Sequence, residues 1–168
     1  MVRIRKSPAR PTAIIVGLLL LAINSSWAND HQLALGKRVY KKANCVGCHK
    51  WHGGGGGGYG GVALSLRDTT LDRDWLITLV RCGRPGTRMP YHDRNAYRGD
   101  NRDCYEMTAD EFGEQLPPKA PRVLREKEIE AVVAYVQARI QGRGQPNHDD
   151  CTAFWGADAT RCKRMLDK

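Results

Sequence analysis

The chain gives almost no support for β-strands and holds no internal repeat, which sets aside sheet-based folds and solenoids. It also lacks an apolar run of the ~20 residues that a membrane-spanning helix needs. The run at 13–23, AIIVGLLLLAI, has 11 residues. Acidic residues are missing from the opening MVRIRKSPARPT, which carries four basic ones. Basic start, short apolar run and the small residues of Ser26-Trp27-Ala28 read together as a secretory signal peptide over 1–28, cleaved after Ala28. A periplasmic protein with no span after cleavage is expected. The remaining 140 residues suit one domain, and loss of four basic residues takes the formal charge from +9 to +5. That balance is ordinary for a soluble protein and points to no nucleic acid.

Helical periodicity is present in three places. HQLALGKRVYKKAN, residues 31–44, places Leu33, Gly36, Val39 and Tyr40 on one face. A second helix starts at Asp72, or at Thr70, with Trp75, Leu76, Leu79 and Val80 as its stripe and Gly83 as its stop. The third, 124–140, sets Ile129, Val132, Val133, Val136 and Ile140 against a charged face and ends at Gly142. Residues 50–70 and 84–91 read as loop, the latter broken by two prolines and a glycine. Residues 93–121 hold seven acidic and four basic residues and read as an insertion, with one helical turn over 108–112. The domain is therefore placed at 29–145 with the insertion at 93–121, and 146–168 is left as a tail bracketed by two cysteines.

Six cysteines in an exported chain must be disulfides, metal ligands or cofactor attachments. Cys45 and Cys48 belong to CVGCH, the attachment signature of c-type haem. Two intervening residues let both thiols reach the vinyl groups of one porphyrin, and an immediately following His49 comes under the iron. A thioredoxin-like redox pair would normally follow a strand, and a helical segment precedes this one. A zinc site would need a second close pair, whereas Cys82 and Cys104 are 22 apart. For the other four, Cys82 with Cys104 and Cys151 with Cys162 are favoured, the first tying the insertion back beside residue 89 and the second stapling the tail.

Taken in order, the helix ending in CVGCH, the middle helix, the Gly86-Thr87-Arg88-Met89-Pro90 loop and LREKEIEAVVAYVQARI resemble a class I, monohaem c-type cytochrome over 33–92 and 122–141. The resemblance implies a mainly α fold, three main helices around one covalent haem c and little or no strand. It implies a helix crossing in which Gly36 and Tyr40 meet Val132 and Tyr135. Met89 matches the family's sixth ligand, and filling both axial positions with His and Met leaves no open site. Met107, Met165, His52 and His92 are the rival ligands, the methionines read as packing and the histidines as solvated. Arg81, Arg84 and Arg88 precede Met89 and would lie near the haem edge, where they could steer an acidic partner.

The function so implied is a periplasmic one-electron carrier and not an enzyme. Alternatives are a fixed haem subunit of a larger dehydrogenase complex, or a haem sensor or enzyme with a displaceable sixth ligand. Family habits suggest an exported dehydrogenase of quinoprotein type or a quinol-oxidising complex as donor, and a terminal oxidase as acceptor. Two departures stand out: the long insertion, and Gly60-Gly61-Val62-Ala63-Leu64 where members usually carry Gly-Pro-x-Leu, whose carbonyl accepts from the ligand histidine.

GGGGGGYGG, residues 53–61, follows no strand and lacks the Lys-Ser/Thr of a phosphate-binding loop. It reads instead as a wrap around the ligand-histidine side of the porphyrin. Six consecutive glycines exceed what a wrap needs, so 54–58 is expected to be disordered.

Overall fold

The computed structural model describes residues 29–56, 63–157 and 159–163. The signal-peptide reading of 1–28, the later part of the glycine loop and Met165 lie outside the described residues. The unit over 32–168 carries the fold.

Helix α1 occupies 29–42 and buries Leu33, Gly36, Val39 and Tyr40, the face its periodicity predicts. Asn44 then takes a left-handed conformation, φ 63°, which a short polar side chain tolerates, and the chain turns into α2, Cys45–His49. Asp72 caps α3, Arg73–Cys82, by accepting from the Trp75 backbone N–H at 2.9 Å. Its buried face is Leu76 and Ile77; Trp75 is 53% exposed and so leaves the stripe that spacing assigned to it.

Helix α5 is Glu126–Arg139, taking α4 as Ala109–Phe112, and it buries Ile129, Ala131, Val132, Val133, Tyr135 and Val136. Helix α3 packs on it. Helix α1 crosses it at Gly36, where a Cβ would sit 2.0 Å from the Ala131 carbonyl oxygen and 2.6 Å from Tyr135 Cβ. Tyr135 is thus at the crossing as expected, the glycine resting on the Ala131 carbonyl next to Val132, which is buried in the same core as Tyr40. The rings of Tyr40 and Tyr135 lie 5.8 Å apart beside this contact. Among the described residues there is no strand, only an isolated parallel bridge between Tyr91 and Lys119.

The insertion builds a second small core. Thr108 and Glu111 form a capping box on α4, a 3-10 turn follows at Gly113–Gln115, and Phe112 is buried with Cys82, Ala96, Tyr97 and Cys104. Cys82 is joined to Cys104. The tail is more ordered than the sequence indicated: α6, His148–Trp155, and α7, Thr160–Lys163, are joined by a Cys151–Cys162 disulfide. Phe154 of α6 enters the main core, its ring 6.2 Å from that of Tyr40.

His92 is buried rather than solvated. Its Nδ1–H donates to the Arg122 carbonyl at 2.9 Å, and its own carbonyl accepts from Leu124 N, which ties the chain after residue 89 to the start of α5. Burial, helped by the Arg122 guanidinium, holds the ring's pKa below its usual value against the opposing pull of that hydrogen bond. An unfolded chain takes up a proton at His92 below about pH 6.5, which the folded chain resists, so this contribution to stability is complete above that pH and is lost as pH falls. His92→Asn should therefore shrink the drop in urea midpoint between pH 7.5 and pH 5; an undiminished drop would contradict the assignment.

Candidate functional site

Cys45, Cys48 and His49 stand at positions i, i+3 and i+4 of α2, which puts all three on one face of a single helical turn. Asn44 and Lys50, both at positive φ (63° and 62°), bracket that turn. The Tyr40 hydroxyl donates to the Lys50 carbonyl at 2.9 Å and fixes the exit. Cys45 and Cys48 are the two cysteines outside disulfides. Desolvation pushes the Cys45 thiol up to about 12, with Cys48 adding to the rise and a backbone hydrogen bond opposing it. A redox Cys-x-x-Cys pair needs its leading thiol depressed, and this environment acts in the opposite direction. Among the described residues no three His, Cys, Asp or Glu side chains are grouped so that they could hold a metal ion.

His49 Nδ1 lies 3.0 Å from the Leu64 carbonyl oxygen. A carbonyl can only accept, so Nδ1 carries the proton and the Nε2 lone pair is left for a metal. Burial lowers the His49 pKa, with the Leu64 bond pulling the other way, and keeps the ring neutral as a ligand must be. The acceptor expected from a Gly-Pro-x-Leu step is therefore present without proline, as the backbone of Leu64.

The start of the glycine run holds that carbonyl in place. Gly55 N donates to His49 O at 3.2 Å, Gly56 N to Ala63 O at 2.9 Å, and Leu66 N to Gly53 O at 2.7 Å. At Gly55, φ +67°, a Cβ would come 2.3 Å from Ala63 O and 2.9 Å from Leu64 O. At Gly53, φ +77°, it would strike Ile140 Cγ2 at 2.2 Å. Residues 54–56 are thus ordered by close backbone packing, contrary to the expectation of disorder from residue 54 onward; 57 and 58 lie outside the described residues.

Arg67 carried no signal in the sequence, and it proves to be buried beside this loop. Its guanidinium donates to His52 O at 2.9 Å, Arg143 O at 3.2 Å, Asp150 Oδ2 at 3.0 Å and the Gly144 carbonyl.

Met89 is half-buried in the loop after α3. Its carbonyl accepts from Arg84 N at 3.2 Å, Gly86 N donates to Gln115 O of the insertion at 2.8 Å, and Gly83 packs against Met89 O, Tyr91 N and Pro117. Of the rivals, Met107 packs into the insertion's own core, and His92 is buried where the chain after residue 89 meets the start of α5. His52 Nδ1 accepts from Gly54 N at 3.1 Å, which puts the proton of its neutral ring on Nε2. Arg81 is paired with Asp93 and Glu126, so its charge is compensated within the chain; Arg84 and Arg88 are exposed.

Gly55→Ala and Gly86→Ala separate fit from backbone strain. Both glycines have φ near +67°, but nothing lies within 4 Å of a Cβ at Gly86. Gly86→Ala should cost about 1 kcal/mol from the left-handed backbone alone, and Gly55→Ala about 1–3 kcal/mol more from overpacking, read as urea unfolding midpoints. Equal losses would mean that Gly55 does not press on the Leu64 carbonyl.

The family described as Cytochrome c matches residues 33–139, from α1 to the last residue of α5 and well over half of the chain. No curated protein and no solved structure matches. That family binds covalently attached haem c. The residues here fit such a group, with two thiols outside disulfides and a neutral imidazole whose proton is committed to a carbonyl on the far nitrogen. The chain belongs to the cytochrome c family, as a class I haem-binding electron-transfer protein.

Proposed function

We propose that the chain is a periplasmic one-electron carrier, with haem c held by Cys45 and Cys48 and its iron ligated by His49 and Met89. The observation that carries this reading is the His49 hydrogen bond to Leu64 O, on the same turn as the two thiols. When bound, haem c supplies the Fe³⁺/Fe²⁺ couple that takes up and releases one electron. Cys45 and Cys48 would hold it as thioethers. His49 gives its Nε2 lone pair while Nδ1–H on Leu64 O fixes the ring plane. Met89 offers a soft thioether, which favours the ferrous state and raises the potential. Were His49 and Met89 both to ligate the iron, no open position would remain for a substrate, and on that ground we favour a carrier over an enzyme or sensor.

Two disulfides support an oxidising compartment, in line with the leader read at 1–28. Of the three arginines before residue 89, Arg84 and Arg88 stay available to dock an acidic partner, Arg81 being spent on Asp93 and Glu126. The insertion turns its apolar residues inward, and none of the large exposed hydrophobics, Leu64, Leu71, Trp75 and Val123, belongs to it. The insertion therefore offers no apolar docking face of its own. On this reading the donor is an exported quinoprotein-type dehydrogenase or a quinol-oxidising complex, and the acceptor a terminal oxidase.

Met89→Ala should abolish the weak red absorption band of Met-ligated ferric haem and lower the midpoint potential, whereas Met107→Ala should leave both in place. Survival of the band in Met89→Ala would remove Met89 as the ligand. Electron transfer to an acidic partner should slow at least tenfold between 10 mM and 500 mM salt, and Arg84→Gln with Arg88→Gln should flatten that dependence. A flat profile in the unaltered protein would argue against steering by these arginines.

A further inference from the structure

We infer that Arg67 and Asp150 form a positioning clamp by which the C-terminal segment 147–163, beyond the family match, sets the His49–Leu64 hydrogen bond. The inference rests on the reading of His49 as the axial ligand.

Arg67 stands three residues after Leu64, and His52 stands three residues after His49. The guanidinium donates to His52 O at 2.9 Å, so one side chain grips the two backbone segments that carry the donor and the acceptor of that bond. Its grip has a fixed anchor. The Asp150 carboxylate receives Arg67 at 3.0 Å with both side chains nearly buried, 4% and 12% exposed. Three features immobilise Asp150 itself. It closes a capping box with Asn147 at the start of α6, its neighbour Cys151 is bonded to Cys162, and Phe154 one turn on is buried in the main core. Lys37 and Lys41 of α1 add hydrogen bonds to the Ala153 and Phe154 carbonyls at the other end of α6. Segment 65–67 is braced as well, since Ser65 Oγ accepts from Arg67 N at 3.2 Å and the Arg67 carbonyl accepts from Gly142 N at 2.8 Å.

A planar guanidinium serving four acceptors is geometrically demanding, and a lysine could not reproduce it. Its consequence for the iron follows from ligand basicity. A well-aligned Nδ1–H···O bond makes the imidazole a stronger donor and stabilises the ferric state, so loosening the clamp should raise the midpoint potential.

The test compares Arg67→Gln, Asp150→Asn and, as control, Arg102→Gln in the haem-loaded protein. Asp150→Asn keeps a side chain able to close the capping box with Asn147 and serves if Arg67→Gln does not accumulate. Arg102→Gln removes one positive charge, as Arg67→Gln does, but from an exposed pair with Glu111 in the insertion, away from 63–67 and the tail. The readouts are the midpoint potential and the hydrogen–deuterium exchange rate of the His49 ring N–H by proton NMR. Arg67→Gln and Asp150→Asn should raise the potential and speed that exchange at least tenfold, with Arg102→Gln changing neither. Loss of stability without either change, or equal shifts in all three variants, would overturn the clamp and leave Arg67 a structural residue. Absence of any iron-shifted His49 ring signal in the unaltered protein would instead overturn the axial reading, and the clamp's purpose with it.

Discussion

The hydrogen bond from His49 Nδ1 to the Leu64 carbonyl spans the glycine-rich loop, and each of its ends is held by a different part of the chain. The donor end is set by α2, a single turn between two residues at positive φ, with Tyr40 bonding its exit. The acceptor end has no regular element to hold it. It is fixed instead by backbone contact with 53–56, where side chains would collide with Ala63, Leu64 and Ile140. A neutral ring with its proton on Nδ1 and its lone pair on Nε2 needs both ends in place, because a free imidazole would exchange tautomers and rotate.

Around the three-helix scaffold the chain adds two modules, each on a segment that the scaffold alone leaves weakly held. The insertion meets the C-terminal end of α3, whose last carbonyls have no partner within the helix. Tyr97 donates to Cys82 O at 2.8 Å and Tyr105 to Gly83 O at 2.6 Å, which caps that end with two buried or half-buried rings. Both tyrosines reach these positions from left-handed backbone, φ 59°, at a cost of roughly 1–2 kcal/mol each. The Cys82–Cys104 link closes a loop of a size for which about 3 kcal/mol is typical, enough to offset that strain.

Much of this was legible because helices announce themselves by period. The buried face of α1 follows from Leu33, Gly36, Val39 and Tyr40, and α5 was read to within two residues at each end. CVGCH is legible for a different reason: its chemistry requires those residue types at that spacing. The acceptor for His49 was hidden because every residue carries a carbonyl, so its address is written in loop geometry and not in side chains. The missing proline therefore said little about whether the bond forms. Helix α6 was hidden by its shortness and by an apolar content of only a few residues, although Asn147 and Asp150 already had the spacing of a capping box. Trp75 was misplaced since a single large apolar residue at the first turn of α3 fits more than one stripe.

Arg67 was hidden for the deepest reason. An arginine in a loop normally reads as solvated, and only the tertiary arrangement supplies the four acceptors that make its burial tolerable. That arrangement also explains why a loop so rich in glycine can serve a site that needs rigidity. Each glycine loses roughly 0.5–1 kcal/mol more than alanine on ordering, so the run gains close approach at the expense of a strong tendency to loosen. Contacts within the loop are backbone to backbone and cannot oppose that tendency alone. A guanidinium that binds the segments on both sides, anchored to a carboxylate that a disulfide and a buried phenylalanine hold still, opposes it from outside the loop. The glycine run and the C-terminal segment are in this sense one device. The first lets the backbone come close, and the second keeps it there.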